Sequence, residues 1–147
     1  MVIFYKPLLL ILLASIACLH ANENVKAIES DPKQTAELEE LKVQQNDVGD
    51  TEYTFRCTVG QKKTVRVGCT GKDRSYWPTP HDVNLTLRCP PNGGGPSLAF
   101  VEVIFTVTTR NVNCVVAAGG IGQNYIQIRL DVYGTKTLDY IAEFYIF

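Results

Sequence analysis

The chain has 147 residues, and its 14 basic and 15 acidic side chains give a formal net charge of −1 at pH 7. A charge this close to zero does not favour strong nucleic-acid binding, because domains that bind nucleic acids are usually basic. A chain of this length has a small hydrophobic core, so disulfides would contribute usefully to its stability.

The first 21 residues have the layout of a cleaved signal peptide. Lys6 precedes an uncharged run of Leu, Ile and Ala over residues 7–17, and small residues follow. This apolar run is about a dozen residues long, shorter than the ~20 needed to span a bilayer. We therefore predict cleavage near Ala21 and secretion, with no membrane span. Residues 14–18 also resemble a bacterial lipoprotein signal, which would make Cys18 a lipid anchor.

Residues 22–50 form an acidic segment that is distinct from the rest of the chain. It holds eight acidic residues against three lysines, a net of −5, whereas residues 51–147 hold ten basic against seven acidic, a net of +3. Asp31 and Pro32 are typical of a helix start, which predicts a helix over residues 32–45. We expect a partly helical or disordered arm that either stays solvated or contacts a partner.

From residue 51 onward, apolar residues alternate with polar ones, which is typical of strands with one buried face. Strands are predicted at residues 53–59, 65–69, 83–89, 98–109, 112–118, 126–132 and 138–146. The first two are expected to pair as a hairpin, and the fourth to be a central strand covered on both sides. The pattern predicts an all-β domain over residues 51–147, an antiparallel β-sandwich or partly open barrel of about seven strands.

Four cysteines remain after removal of the signal peptide, and all lie in or beside the apolar phase of a strand: Cys57, Cys69, Cys89 and Cys114. An even number in a short secreted chain predicts two disulfides. Zinc is less favoured because structural zinc sites use closely spaced pairs of ligands. All three pairings stay open, and the hypothesis we prefer joins Cys57 to Cys69 and Cys89 to Cys114.

Asn84 begins the sequence Asn-Leu-Thr, which is a glycosylation sequon on the polar face of its strand. An exposed sequon in a chain with a signal peptide agrees with a secreted glycoprotein. We therefore predict an N-linked glycan at Asn84.

No constellation of catalytic, metal-binding or cofactor-binding residues is found in the sequence. His81 is the one histidine after the predicted cleavage site, and a triad of Ser75 or Ser97 with His81 and Asp82 would require assembly in space. The Gly-Gly-x-Gly sequence at residues 119–122 lies between two strands, which favours a hairpin turn over a phosphate-binding loop. We predict a protein that is not an enzyme and that has no cofactor.

Basic residues cluster around the predicted first hairpin and its exit, with a tryptophan beside them: Lys62, Lys63, Arg66, Lys72, Arg74 and Trp77. Such a patch could bind an anionic partner. The alternative, which we prefer, is that these charges protect an edge strand against aggregation.

The order of elements in the C-terminal third resembles that of a known family. A long apolar strand over residues 100–109 precedes a strand that ends in small residues and Gly119-Gly120-x-Gly122. An alternating strand over residues 125–132, a Tyr-Gly turn and a last alternating strand follow. This order is similar to that of the insect multiprotein bridging factor two family, which includes transcription activators and many salivary secreted peptides. The acidic segment and the ending at residues 144–147 depart from that pattern.

Two hypotheses for function follow from these observations. The leading one is a secreted, non-enzymatic binding protein of salivary type, whose protein or glycan partner and oligomeric state the sequence leaves open. The alternative, which the resemblance implies, is a transcription coactivator that bridges a DNA-bound regulator and the general transcription machinery. The paired cysteines and the signal peptide favour the first, since disulfides do not persist in a reducing nucleus.

Overall fold

The computed structural model describes residues 34–63 and 65–147. The predicted signal peptide, Cys18 and the first part of the acidic segment lie outside the described residues. The described part contains six strands and no α-helix: β1 Ala36–Gln45, β2 Thr51–Gly60, β3 Arg66–Cys89, β4 Leu98–Val107, β5 Val112–Gly119 and β6 Ile126–Ile146. The predicted all-β class is confirmed.

All strand pairs are antiparallel and belong to one sheet. The strands follow the order β1-β2-β4-β6-β3, and β5 pairs with β6 outside this path. The first half of β6 pairs with β5 and with the second half of β3. Its second half pairs with β4 and with the first half of β3. The sheet is not closed into a barrel, and it consists of a five-stranded layer and a three-stranded layer that share β3 and β6.

Strands β3 and β6 pass from one layer to the other by bending at their midpoints. Cys69 and Cys89 are 20 positions apart on β3, and a straight strand would separate their Cα atoms by roughly 65 Å. The observed separation is 6.0 Å. At the bend, four residues from Trp77 to Pro80 have no partner on β6, and two of the four are prolines, which cannot donate a backbone hydrogen bond. The bend therefore folds the sheet over so that the two layers face each other.

The matching bend in β6 is held by a buried threonine. Gly134 adopts a φ of 72° there, a conformation that suits glycine. The next residue, Thr135, is fully buried, and its Oγ1 donates to the backbone oxygen of Thr137 at 2.6 Å and accepts from the backbone nitrogen of Thr108 at 3.0 Å. The hydroxyl thus satisfies backbone groups that lose their ladder partners at the bend.

Both disulfides connect the two layers. Cys57 of β2 is bonded to Cys114 of β5, and Cys69 is bonded to Cys89. The prediction of two disulfides is confirmed, but the preferred pairing is wrong. The predicted hairpin between β2 and the strand containing Cys69 is also wrong, because β2 pairs with β1 and β4. The cysteines that meet are those that face each other across the core.

The inner faces of the two layers form one hydrophobic core. Residues at alternate positions of β2, β4 and β6 are buried in it, as the sequence pattern predicts. They include Cys57, Val59, Val101, Val103, Phe105, Val107, Ile128, Leu130 and Val132. Strand β4 is central in the five-stranded layer, but Glu102, Ile104 and Thr106 on its outward face are half-buried. Among the described residues, no second layer covers that face, contrary to the prediction.

The number and limits of the strands differ from the prediction in two ways. Residues 65–69 and 83–89 are the two ends of β3, and residues 126–132 and 138–146 are the two halves of β6. The helix predicted over residues 32–45 is wrong over Ala36–Gln45, which form strand β1. This strand pairs along its whole length with β2, and pairing of that kind overrides a local helix preference.

Removing either disulfide should destabilise the fold by an amount that depends on the loop it closes. The Cys57–Cys114 loop spans 57 residues and the Cys69–Cys89 loop 20, for which chain entropy gives about 4 and about 3 kcal/mol. We expect Cys57→Ala/Cys114→Ala to lower the free energy of unfolding more than Cys69→Ala/Cys89→Ala, as measured by urea denaturation. Equal losses of unfolding free energy, or a larger loss in the second variant, would contradict the arrangement of two facing layers connected by these two bonds.

Candidate functional site

The predicted basic patch is divided in the structure. Lys72 and Arg74 lie on the outward face of β3, opposite Ile141 and Asp139 of β6. Arg66 is exposed at the start of the same strand, whereas the two remaining lysines lie in the loop before it. The first half of β3 is the last strand of the five-stranded layer, so these cations follow an edge of the sheet.

Two of the predicted patch residues are already engaged within the protein. Lys62 Nζ donates to the hydroxyl of Tyr145 at 3.2 Å and lies 4.6 Å from the centre of that ring. Arg74 donates from Nε and Nη2 to Asp139 Oδ2 at 3.0 and 2.7 Å. These hydrogen bonds raise the pKa of Lys62 and of Arg74. Among the described residues, Arg66 and Lys72 form no ion pair.

Trp77 does not belong to this surface. It is half-buried at the bend of β3, packs against the core and stacks on His81, with 5.6 Å between the ring centres. The imidazole Nδ1 lies 2.8 Å from the backbone oxygen of Thr79. Within the described residues, no hydrogen bond connects His81 with Ser75 or Ser97, so the structure does not assemble the triad considered above.

Asn84 lies on the exposed face of the second half of β3. Its Nδ2 donates to Asp131 Oδ1, and Asp131 also accepts from Arg129 Nε at 3.1 Å. An amide nitrogen has two hydrogens, so one remains after this bond is made. Glycosylation at Asn84 stays a prediction.

Strand β1 forms the opposite edge of the five-stranded layer. Sequence reasoning considered this segment as a partner contact but missed that it is an edge strand. Leu38, Leu41 and Val43 are between 39% and 47% exposed along it. The register with β2 shifts around Leu41, which marks a bulge in this edge strand. A turn follows the strand, with Gly49 at a φ of 86°. That turn, within the sequence Asn46-Asp47-Val48-Gly49-Asp50, was the local signal for a β-hairpin.

The first strand and the residues just before it are attached to the two loops that flank β5 by side-chain contacts. Arg110 donates to both carboxylate oxygens of Glu40, at 3.0 and 3.2 Å. Just before the strand, the amide of Gln34 donates to the backbone oxygen of Ile121 and accepts from its nitrogen, at 3.0 and 3.1 Å. The edge is therefore held in a defined position.

The two edges of this layer carry opposite charge. Strand β1 has three glutamates and one lysine, a net of −2, whereas residues 66–76 of β3 have three basic residues and Asp73, a net of +2. Three strands separate the two edges, and four spacings of about 4.8 Å place them ~19 Å apart. A separation of this size allows a different partner segment at each edge.

A cavity of about 340 Å³ lies at the end of the molecule opposite the bends. Glu37, Thr58, Lys63 and Phe147 are among the residues that line it. Its size is at the lower limit of small-molecule pockets.

Neither a metal site nor a membrane-crossing helix occurs in the described residues. No three His, Cys, Asp or Glu side chains there are grouped closely enough to hold a metal ion. No helix in residues 34–63 and 65–147 is long and apolar enough to cross a bilayer.

Comparison with known proteins gives one family. A family model described as "Transcription activator MBF2" matches residues 59–145, from the end of β2 to the end of β6. No curated protein and no solved structure matches the chain. The description agrees better with the coactivator hypothesis than with a secreted binding protein.

Proposed function

Because this chain belongs to the MBF2 family, whose model matches more than half of it, we propose that it acts by binding and bridging other proteins and not by catalysis. The observation that carries the proposal is the pair of edges of the five-stranded layer, which carry opposite charge and are unpaired among the described residues. A bridging protein needs two separate surfaces that differ in what they accept, and β1 and β3 meet this requirement.

Each edge offers a chemically distinct docking surface. An unpaired strand can accept an added strand through its backbone hydrogen bonds, and its side chains then set the specificity. At β1, the exposed Leu38, Leu41 and Val43 among glutamates suit an apolar and basic segment. At β3, Arg66 and Lys72 suit an acidic segment. The charges at the rim would mainly set the association rate and discriminate against wrong partners.

The compartment in which this bridging takes place is proposed from the disulfides. Both disulfides connect the two layers, and three of the four cysteines are buried. Such bonds persist in secreted proteins and are reduced in the nucleus and cytosol. We therefore favour an extracellular protein, released by the predicted signal peptide and glycosylated at Asn84.

The second candidate is a transcription coactivator, and the family description favours it. In that case the two edges would contact a DNA-bound regulator and a component of the transcription machinery. The fold would then have to be stable with its four cysteines reduced.

Charge reversal at one edge should remove one set of partners and spare the other. The two changes are Glu37→Lys on β1 and Lys72→Glu on β3. Proteins cross-linked to each variant are identified by mass spectrometry, and we expect each variant to lose several-fold in recovery of a different set of them. Both side chains are exposed and form no ion pair in the described residues, so the urea midpoints should match the wild type. Arg88→Glu, an exposed change outside both edges, is the control.

Loss of the same proteins in both variants would contradict bridging by two surfaces. No change in either variant would also contradict it, and would indicate that the charges serve only to protect the edges against aggregation.

The compartment is tested by expressing the full chain with a C-terminal tag in insect cells. We expect to recover the protein from the medium. Treatment with an N-glycosidase should change its gel mobility, and the same treatment should leave the mobility of the Asn84→Gln variant unchanged. Retention of an unglycosylated chain in the nucleus, with four free thiols, would support the coactivator candidate and contradict the extracellular one.

A further inference from the structure

A polar groove of about 570 Å³ lies on the outward face of the five-stranded layer, close to the bends. One wall is the end of β1 and its turn, residues 44–48, and the other is residues 74–76 of β3. Glu52, Thr106 and Asp139 contribute to its floor from β2, β4 and β6. This volume is within the range of small-molecule and cofactor sites, about 300–1,000 Å³.

The first wall is held in place by hydrogen bonds before any ligand arrives. The carboxylate of Glu52 accepts from Gln44 Nε2 and from Asn46 Nδ2, each at 3.3 Å. Asn46 Oδ1 in turn accepts from the backbone nitrogens of Val48 and Asp50, at 3.2 and 2.9 Å. A ligand that binds here therefore meets an ordered row of amide and carboxylate groups, which reduces the entropic cost of binding.

The second wall presents an ion pair with unused hydrogen-bonding capacity. Arg74 uses Nε and Nη2 on one oxygen of Asp139, while its side chain is 80% exposed. Its Nη1 can still donate, and Asp139 Oδ1 accepts no hydrogen bond among the described residues. The wall thus offers a donor and an acceptor side by side, the arrangement that two neighbouring hydroxyls of a sugar ring need.

An exposed aromatic ring completes the groove, and the threonine opposite it in the sheet has an unsatisfied hydroxyl. Tyr76 is 62% exposed, although it is a large aromatic residue, and it is opposite Thr137 in the sheet. Thr137 Oγ1 is buried and has no hydrogen-bond partner among the described residues. Such groups are rare in folded proteins, and this one belongs to a residue that lines the groove.

We propose that this groove binds a neutral oligosaccharide. Carboxylates, amides and a guanidinium can pair with sugar hydroxyls, and the ring of Tyr76 can cover the apolar face of a pyranose. The groove lining has a net charge of −2, from one arginine, Arg74, and three acidic residues, Asp47, Glu52 and Asp139. This negative charge disfavours sulfated or uronic glycans. The floor strands are paired on both sides, so a peptide cannot bind there by strand addition.

This inference does not rest on the proposed bridging of proteins. The groove lies on the face of the layer and takes a different class of ligand, so each proposal can fail without the other.

The test is a titration of the full-length expressed protein, labelled with ¹⁵N, followed by NMR. The probes are mannotriose, cellotriose and triacetylchitotriose as neutral sugars, a heparin tetrasaccharide as an anionic one, and a lysine-rich peptide. We expect at least one neutral sugar to shift the amide signals of residues 44–48 and 74–76 in a saturable manner.

Variants make the result specific to the groove. Tyr76→Ala should weaken binding of that sugar at least about fivefold, and Glu52→Gln, which keeps the side-chain volume, should weaken it several-fold. Tyr133→Ala removes another exposed tyrosine outside the groove and should bind as the wild type does. The proposal is overturned if no neutral sugar shifts these signals, if only the heparin tetrasaccharide or the peptide does, or if Tyr76→Ala and Glu52→Gln bind unchanged.

Discussion

The bending of β3 and β6 at the same end of the molecule is the constraint on which the other features depend. If both strands were straight, the structure would be one open sheet with its apolar face in water. Because both bend, the apolar faces of the two layers meet and form a core around Val103, Phe105 and Leu130. The bend would otherwise leave backbone groups unpaired. The prolines of β3 lack the backbone N–H, and the hydroxyl of Thr135 forms hydrogen bonds with backbone groups near the bend. The Cys69–Cys89 bond then connects the two arms of β3 directly.

The same bend explains where the proposed binding surfaces lie. It places the first half of β3 at the end of the five-stranded layer, which creates the basic edge at Arg66 and Lys72 opposite the acidic edge of β1. It also places residues 74–76 across the layer from the turn after β1, so that the polar groove lies between them. The two edges and the face belong to the same layer, which the core and the two disulfides connect to the other layer.

Much of the fold can be predicted from the sequence, because alternation reports which residues face the core. It indicates correctly the buried positions of β2, β4 and β6, such as Phe55 and Ile128. It does not report bends, since the alternation resumes on both sides of residues 77–80 and of Gly134. In the sequence, those turn residues therefore predict the ends of separate strands. The disulfide pairing depends on which strands face each other, and this follows from the bends.

The Asp31-Pro32 helix start is a local preference, and β1 forms instead because β2 provides a pairing partner. The groove draws on five strands and on residues spread from position 44 to position 139, so no local motif marks it.

The most direct test of this account is to map the disulfides by mass spectrometry of the unreduced protein after proteolysis. The folded-over sheet predicts peptides that join Cys57 to Cys114 and Cys69 to Cys89. Peptides that join Cys57 to Cys69 would require a hairpin between β2 and the start of β3, and would contradict the bent strands and the surfaces derived from them.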